Sequence, residues 1–147
     1  MYEWSDEHKM IRDAVRDFVE KEVRPQREEL EFGDTPPYDV IRKLYKTFGM
    51  DEMARSSFAK RIAKDKGEAA SERDGGGGGG NAGFMLLPII ELCRCSPGLV
   101  TAMGVSTGLA ASTIMSRGTV AQKERWALDL LTFDKVGAWA ITEADSG

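Results

Sequence analysis

The order of apolar and polar residues predicts a helix at the start of the chain. Ser5 can cap it, and the acidic residues of its first turn suit the positive end of the helix dipole. Apolar residues then recur at helical spacing: Ile11, Ala14, Val15, Phe18, Val19 and Val23. We expect the helix to end before Pro25, and the charged stretch from Gln26 to Asp34 to form a loop or a frayed turn.

Two more helices are predicted before the middle of the chain. Thr35, Pro36 and Pro37 are typical of a helix start, and Gly49 is typical of a helix end. The apolar positions between them fall on one helical face: Val40, Ile41, Leu44, Tyr45 and Phe48. A weaker pattern from Met53 to about Lys66, with Phe58 and Ile62 four residues apart, predicts a short helix with a narrow apolar face.

Residues 67–83 have low complexity and include six consecutive glycines, Gly75 to Gly80. Their spacing satisfies a dinucleotide-binding pattern trivially, but no strand precedes them, so we reject that interpretation and predict a flexible loop. Leu87 to Cys95 is apolar on most sides and predicts a short buried helix, with Pro88 in its first turn.

The last third of the chain predicts two helices and then a strand. Ser96 and Pro97 start a long helix that Gly118 ends, and Thr119 with Gln122 can form a capping box for the next. Small residues are frequent in the long helix, at Gly104, Ser106, Gly108, Ala110, Ala111 and Ser112. They would allow close approach either of another helix or of a thin ligand such as an acyl chain, and both alternatives stay open.

The predicted fold class is therefore all-α, a helical bundle of five or six helices followed by one β-strand. We assign residues 1–134 to a helical domain and residues 135–147 to the first strand of a β-domain. The strand begins near Gly137 and runs into small, polar, turn-forming residues.

Composition and charge narrow the function classes. A net charge of −4, with basic and acidic residues interleaved, gives no nucleic-acid footprint. We expect no membrane span, since no apolar run approaches the ~20 residues that a span needs, and no secretory signal is visible. Cys93 and Cys95 fall short of a zinc set and suit a reduced cytoplasmic setting as buried thiols. His8, the only histidine, is expected to be exposed and not catalytic.

Several motifs together resemble the acyl-CoA dehydrogenase family. Ala140-Ile141-Thr142-Glu143, two variable positions and Ser146-Gly147 are similar to that family's flavin-site signature. The approach to the signature is similar too, through Gly118-Thr119, Gln122 to Trp126, Leu130 and Val136-Gly137. The opening resembles the family's first two helices at Trp4 to Arg12, Val23-Arg24-Pro25, Arg42-Lys43-Leu44 and Phe48-Gly49-Met50.

The resemblance implies an FAD-dependent oxidoreductase that oxidises the α–β bond of an acyl-CoA thioester, with hydride passing to flavin N5. It implies flavin contacts at Trp139, Ile141, Thr142 and Gly147, and substrate contacts at Met103, Ser106, Thr107 and Ser146. A threonine hydroxyl suits the flavin edge because it can donate to N5 or O4. No metal and no catalytic base are assigned within this chain.

The resemblance covers the family's N-terminal helical domain and the start of its β-domain, so we expect the chain alone to be inactive. It also implies an electron-transfer acceptor protein and a homo- or hetero-oligomer. Two alternatives remain. The chain could be a non-catalytic helical interaction module that has lost flavin, or, within enzymes, part of an acyl-CoA oxidase or a flavin monooxygenase.

Overall fold

The fold was obtained as a computed structural model, which describes residues 4–68 and 80–146. Six continuous helices occupy most of these residues. The first, α1, covers residues 6–32 and joins the α-helices Asp6–Phe18 and Arg27–Phe32 through a π-helical turn, Val19–Val23, and a 3₁₀ turn, Arg24–Gln26. The predicted helical fold class is confirmed.

The other helices follow in chain order with short connections. They are α2 (Tyr38–Thr47), α3 (Met50–Asp65), α4 (Gly80–Cys93), α5 (Pro97–Arg117) and α6 (residues 120–131). The predicted signals at Ser5, Gly49 and Thr119 are confirmed. Ser5 caps α1, Gly49 adopts a left-handed φ of 63° before α3, and Thr119 forms the capping box with Gln122.

Contacts divide the chain into two compact units, one within residues 1–40 and 72–101 and the other within residues 41–71 and 102–147. In the first unit, α1 packs along α4. The apolar core of this unit is formed by the buried side chains Val15, Phe18, Val19, Val23, Leu87 and Leu92. The Arg16 guanidinium donates two hydrogen bonds, of 2.9 and 2.7 Å, to the buried Glu91 carboxylate, so the ion pair inside this packing is bidentate.

In the second unit, α6 packs on α3 and on the middle of α5. Its buried apolar side chains are Ile41, Leu44, Tyr45, Ile62, Ala110, Ala111, Ala127 and Phe133. The buried Lys123 ammonium of α6 donates to Asp65 of α3 at 2.7 Å. That hydrogen bond lowers the pKa of the Asp65 carboxyl below its ordinary value.

Two predictions placed helix boundaries wrongly because each gave too much weight to a proline. Helix α1 continues past Pro25 into Arg27–Phe32, where a loop was expected, since Pro25 lies in the 3₁₀ turn that starts the next segment. Helix α4 starts at Gly80 rather than near Pro88, which lies inside it. Burial of Leu87 and Leu92, worth about 1.5–3 kcal/mol each, offsets the roughly 3 kcal/mol that an interior proline costs. The rest of the predicted loop, residues 69–79, lies outside the described residues.

The predicted strand is absent from the described residues. Between α6 and Ser146 the chain forms no β-ladder, and the one β-type pairing described there is an isolated antiparallel bridge between Glu143 and Ser146. The two residues exchange backbone hydrogen bonds of 2.9 and 3.4 Å around a tight turn at Ala144 and Asp145. A strand needs a partner to satisfy its backbone groups, and no described segment supplies one.

The expected exposure of His8 and the expected burial of one of the two cysteines were also wrong. His8 is buried, not exposed, because its ring lies against Trp4 and beside Gly83 of α4, with Nδ1 hydrogen-bonded to Ser5. Of the two thiols expected to be buried, Cys95 is buried and Cys93 is exposed.

Helix α5 corrects the expectation about membrane spans. Over its 21 residues it is long and apolar enough to cross a membrane by length and composition, and among the described residues it is the one such helix. This is weak evidence, because the core helix of a soluble protein passes the same test.

Candidate functional site

The predicted site residues all belong to the second unit. One hydrogen bond attaches the start of the signature segment, defined here as residues 137–146, to α5. Ser106 lies on α5 and is completely buried. Its hydroxyl oxygen accepts a hydrogen bond from the backbone N–H of Gly137 at 3.0 Å. The start of the signature segment is therefore tied to the middle of α5.

Gly137 lies close to two helices. A Cβ added at this position would come within 2.7 Å of Ala110 Cβ on α5 and 3.4 Å of Leu130 Cδ2 on α6. The first distance is shorter than van der Waals contact allows, so any larger residue would push the segment off the helices. The small Ala110 and the absent side chain of Gly137 together permit the Ser106 hydrogen bond.

Thr107, the next residue of α5, makes hydrogen bonds within its own helix and to α2. The Thr107 hydroxyl donates to the Met103 carbonyl at 2.9 Å, and Thr107 is also hydrogen-bonded to the Tyr45 hydroxyl of α2. Burial raises the pKa of the Tyr45 phenol above its ordinary value, and the Thr107 hydrogen bond opposes part of this rise. Tyr45 therefore stays neutral at physiological pH and holds α2 against α5.

The turn that leads from α6 into the signature segment has an unusual backbone. Phe133 is completely buried at a left-handed φ of 62°, and its ring lies 5.6 Å from the Tyr45 ring, centroid to centroid. The Arg42 guanidinium donates to the Phe133 carbonyl at 3.1 Å. These contacts hold a non-glycine residue in a conformation that few residues adopt.

The neighbouring Asp134 adds a polar tie to the same turn. The Thr132 hydroxyl and the Arg55 guanidinium each lie 2.8 Å from its carboxylate. The Thr132 hydrogen bond, with a smaller effect of Arg55, holds the pKa of the Asp134 carboxyl below its ordinary value. The turn is thus anchored to α3 as well as to α2.

Beyond Gly137 the signature segment is open to solvent. Trp139 is 37% exposed and Ile141 is 67% exposed, and the side chains of Thr142 and Ser146 are exposed as well. Among the described residues, no backbone–backbone hydrogen bond involves residues 138–142. Residues 138–142 therefore present backbone donors and acceptors, a hydroxyl and apolar side chains on one exposed stretch.

The structure groups the predicted site residues into two sets. Ser106, Thr107 and Met103 are neighbours on α5, with Ser106 buried and the other two half-buried. Trp139, Ile141, Thr142 and Ser146 follow along the exposed segment, and Gly147 lies outside the described residues. Among residues 4–68 and 80–146, no cluster of side chains could hold a metal ion.

Sequence reasoning missed the residues that support the segment. Tyr45 was recognised only as part of an apolar stripe, and Phe133 and Arg42 received no role. Their partners lie about 60 to 90 residues away in the chain, as in the 91-residue separation of Arg42 and Phe133. Local periodicity carries no signal for such contacts.

Comparison with known proteins identifies the family of the helical part of the chain. Residues 5–134 match the family model described as "Acyl-CoA dehydrogenase, N-terminal domain". An acyl-CoA dehydrogenase of Bacillus subtilis is 30% identical over 143 residues, which are 97% of this chain and 33% of the relative. The mitochondrial short-chain specific acyl-CoA dehydrogenase of Mus musculus is 28% identical over 99% of this chain and 31% of its own length.

The relatives also include a protein named as a reductase. The 3-(aryl)acrylate reductase of Clostridium sporogenes is 24% identical over 98% of this chain and 34% of the relative. The chain spans about a third of the length of the curated relatives it matches. No solved structure gives a significant match. Because the family model covers most of the residues, the chain belongs to the acyl-CoA dehydrogenase N-terminal domain family.

Proposed function

We propose that this chain is the N-terminal part of an FAD-dependent acyl-CoA dehydrogenase that oxidises an acyl-CoA thioester between its α and β carbons. The observation that carries the proposal is the signature segment, which follows the matched helical domain and presents Thr142 to solvent. The names of the relatives support an oxidoreductase acting on acyl-CoA.

The described residues fit one edge of a flavin ring. The isoalloxazine system is flat and apolar on its faces and polar at N5 and O4. The exposed Trp139 and Ile141 offer apolar contact, and the backbone of residues 138–142 is free to pair. The Thr142 hydroxyl can donate to the polar edge, and Gly147 would approach the pyrophosphate. When bound, FAD would accept the hydride that leaves the substrate β-carbon.

Substrate contact is proposed for the exposed edge of α5. Met103 and Thr107 are half-buried, so part of each side chain remains available to an acyl chain, and Ser146 is exposed near the end of the segment. The Thr107 hydroxyl is already hydrogen-bonded to the Met103 carbonyl and to Tyr45, so it would offer its methyl group rather than a donor.

The rest of the reaction is assigned outside these residues. The catalytic base and most of the flavin site would come from the part of the polypeptide or complex that corresponds to the other two thirds of the relatives, and this chain alone would be inactive. An acceptor protein for the electrons, an oligomeric assembly and a cytoplasmic location stay predictions of the resemblance.

Substitution of Thr142 tests the flavin assignment. Thr142→Val keeps the β-branched shape and removes the hydroxyl, whereas Thr142→Ser keeps the hydroxyl and serves as the matched control. In the intact protein as its gene encodes it, we expect Thr142→Val to weaken FAD binding by about fivefold to tenfold, the value of one hydrogen bond. The Thr142→Ser variant should bind as the parent does. Equal FAD affinity in all three proteins would refute the assignment.

A further inference from the structure

Among the predicted substrate residues, Ser106 is the buried one in the described structure. Its side chain is completely buried, and its oxygen accepts the Gly137 N–H at 3.0 Å. A group in this position does not touch an acyl chain that runs along the exposed edge of α5. Its contact points instead toward the signature segment.

The surroundings of this hydrogen bond are built to fit it. Ser106 and Ala110 are four residues apart within the π-helical turn Val105–Ala111, and both are buried. Ala110 lies so close to Gly137 that an added Cβ would stand 2.7 Å away. Helix α5 thus supplies a hydrogen-bond acceptor at Ser106 and, one turn later at Ala110, a side chain small enough for the backbone of Gly137 to lie against it.

The bond is also the last backbone tie before the exposed residues. Lys135 N–H donates to the Asp129 carbonyl at 2.9 Å, and Gly137 N–H donates to Ser106. Among the described residues, the next backbone–backbone hydrogen bonds occur at Glu143 and Ser146. Thr142 lies five residues beyond the tie, at most about 17 Å away along an extended chain. Any freedom at Gly137 is therefore passed on to the residues that would meet the flavin.

We infer that Ser106 and Gly137 form a latch that positions the signature segment for the flavin, so that Ser106 is a positioning residue and not part of the acyl site. The inference rests on the proposed function, since the segment is the flavin-contacting element only under that proposal. The hydrogen bond itself can be tested without any flavin.

The experiment compares Ser106→Ala with Ser112→Ala in the intact protein. Ser112 lies on the same helix but is exposed, and its hydroxyl donates to the carbonyls of Gly108 and Leu109 in its own helix. We expect Ser106→Ala to accelerate amide hydrogen exchange at Gly137 about tenfold and to weaken FAD binding about fivefold or more. Ser112→Ala should change neither quantity.

A second pair of variants tests the steric half of the latch. Gly137→Ala should also weaken FAD binding, because its methyl group meets Ala110. Adding Ala110→Gly removes the opposing methyl and should restore FAD affinity toward that of the parent, although the helix loses some stability. An FAD affinity that stays low in the double variant would overturn the steric half of the latch.

The outcomes separate the latch from the proposed function. Unchanged exchange at Gly137 in Ser106→Ala would overturn the latch. Faster exchange with unchanged FAD affinity would overturn its positioning role. A parent protein that binds no FAD would overturn the proposed function and the positioning role with it, while faster exchange would still establish the hydrogen bond.

Discussion

Phe133 gives the sharpest test of the turn that precedes the signature segment. Its φ of 62° lies in the left-handed region, which costs a non-glycine residue about 1–2 kcal/mol. Its ring is completely buried beside Tyr45. The residue therefore combines a favourable side chain with an unfavourable backbone, and two substitutions can separate these effects.

The free energies follow from the structure. Phe133→Ala removes the buried ring and should lower the free energy of unfolding by about 3–5 kcal/mol. Phe133→Gly loses the same ring but relieves the left-handed strain, so we expect it to be more stable than Phe133→Ala by about 1 kcal/mol. The Arg42 hydrogen bond goes to the backbone carbonyl and is available to both variants.

Phe18 provides the matched control. It is also buried, but its φ of −61° is helical. There the usual order should hold, with Phe18→Gly less stable than Phe18→Ala by about 1 kcal/mol. Urea unfolding of all four variants, in the same concentration of a stabilising osmolyte where needed, gives the free energies. If Phe133→Ala proved more stable than Phe133→Gly, the left-handed conformation and the account of this turn would be wrong.

Three further predictions concern stability. Arg16 donates to Glu91 and holds the pKa of that carboxyl below its ordinary value. The ion pair therefore contributes stability above the pKa of Glu91 in the unfolded chain, and this contribution is lost as the pH falls through the pKa in the folded protein. Urea midpoints measured between about pH 6 and 3 should fall less steeply in Glu91→Gln. Thr119→Ala removes a capping box and should cost about 1 kcal/mol in urea unfolding, and a loss under 0.2 kcal/mol would contradict the cap. Gly49→Ala meets no neighbouring atom, so its expected cost of about 1 kcal/mol is backbone strain, and an unchanged melting temperature would argue against the left-handed φ.

The sequence was most informative where local chemistry decides the structure. Helix starts at Ser5 and Thr119, and the left-handed end at Gly49, depend on hydrogen bonds and backbone preferences within a few residues. The apolar stripe of α2 likewise identified Ile41 and Tyr45 as core residues. These features, together with the signature motif, were enough to predict a helical fold and its family.

Predictions failed where distant contacts decide the structure. His8 looked exposed because nothing nearby in sequence indicated that α4 would cover it with Gly83. Helix α4 continues on both sides of Pro88 because packing on α1 outweighs the low helix propensity of proline. The strand was predicted from a short apolar run and a motif, but a strand exists only with a partner.

The predicted site shows the same division. The signature motif identified which residues to consider, and the structure shows that Thr142 is exposed. The motif could not show that Ser106 is buried under Gly137, because that contact joins residues 31 positions apart. A helical stripe of small residues indicates close approach without saying what approaches.

The proposed membership of this chain in a flavin enzyme acting on acyl-CoA can be tested by the visible spectrum of the intact protein. The measurement is made on the protein isolated from its source with its mass determined, first alone and then with an acyl-CoA thioester added without oxygen. We expect flavin absorbance that the thioester bleaches, in a protein or complex larger than 16.2 kDa. A colourless 16.2 kDa protein that takes up no FAD would contradict it and would favour a non-catalytic helical module.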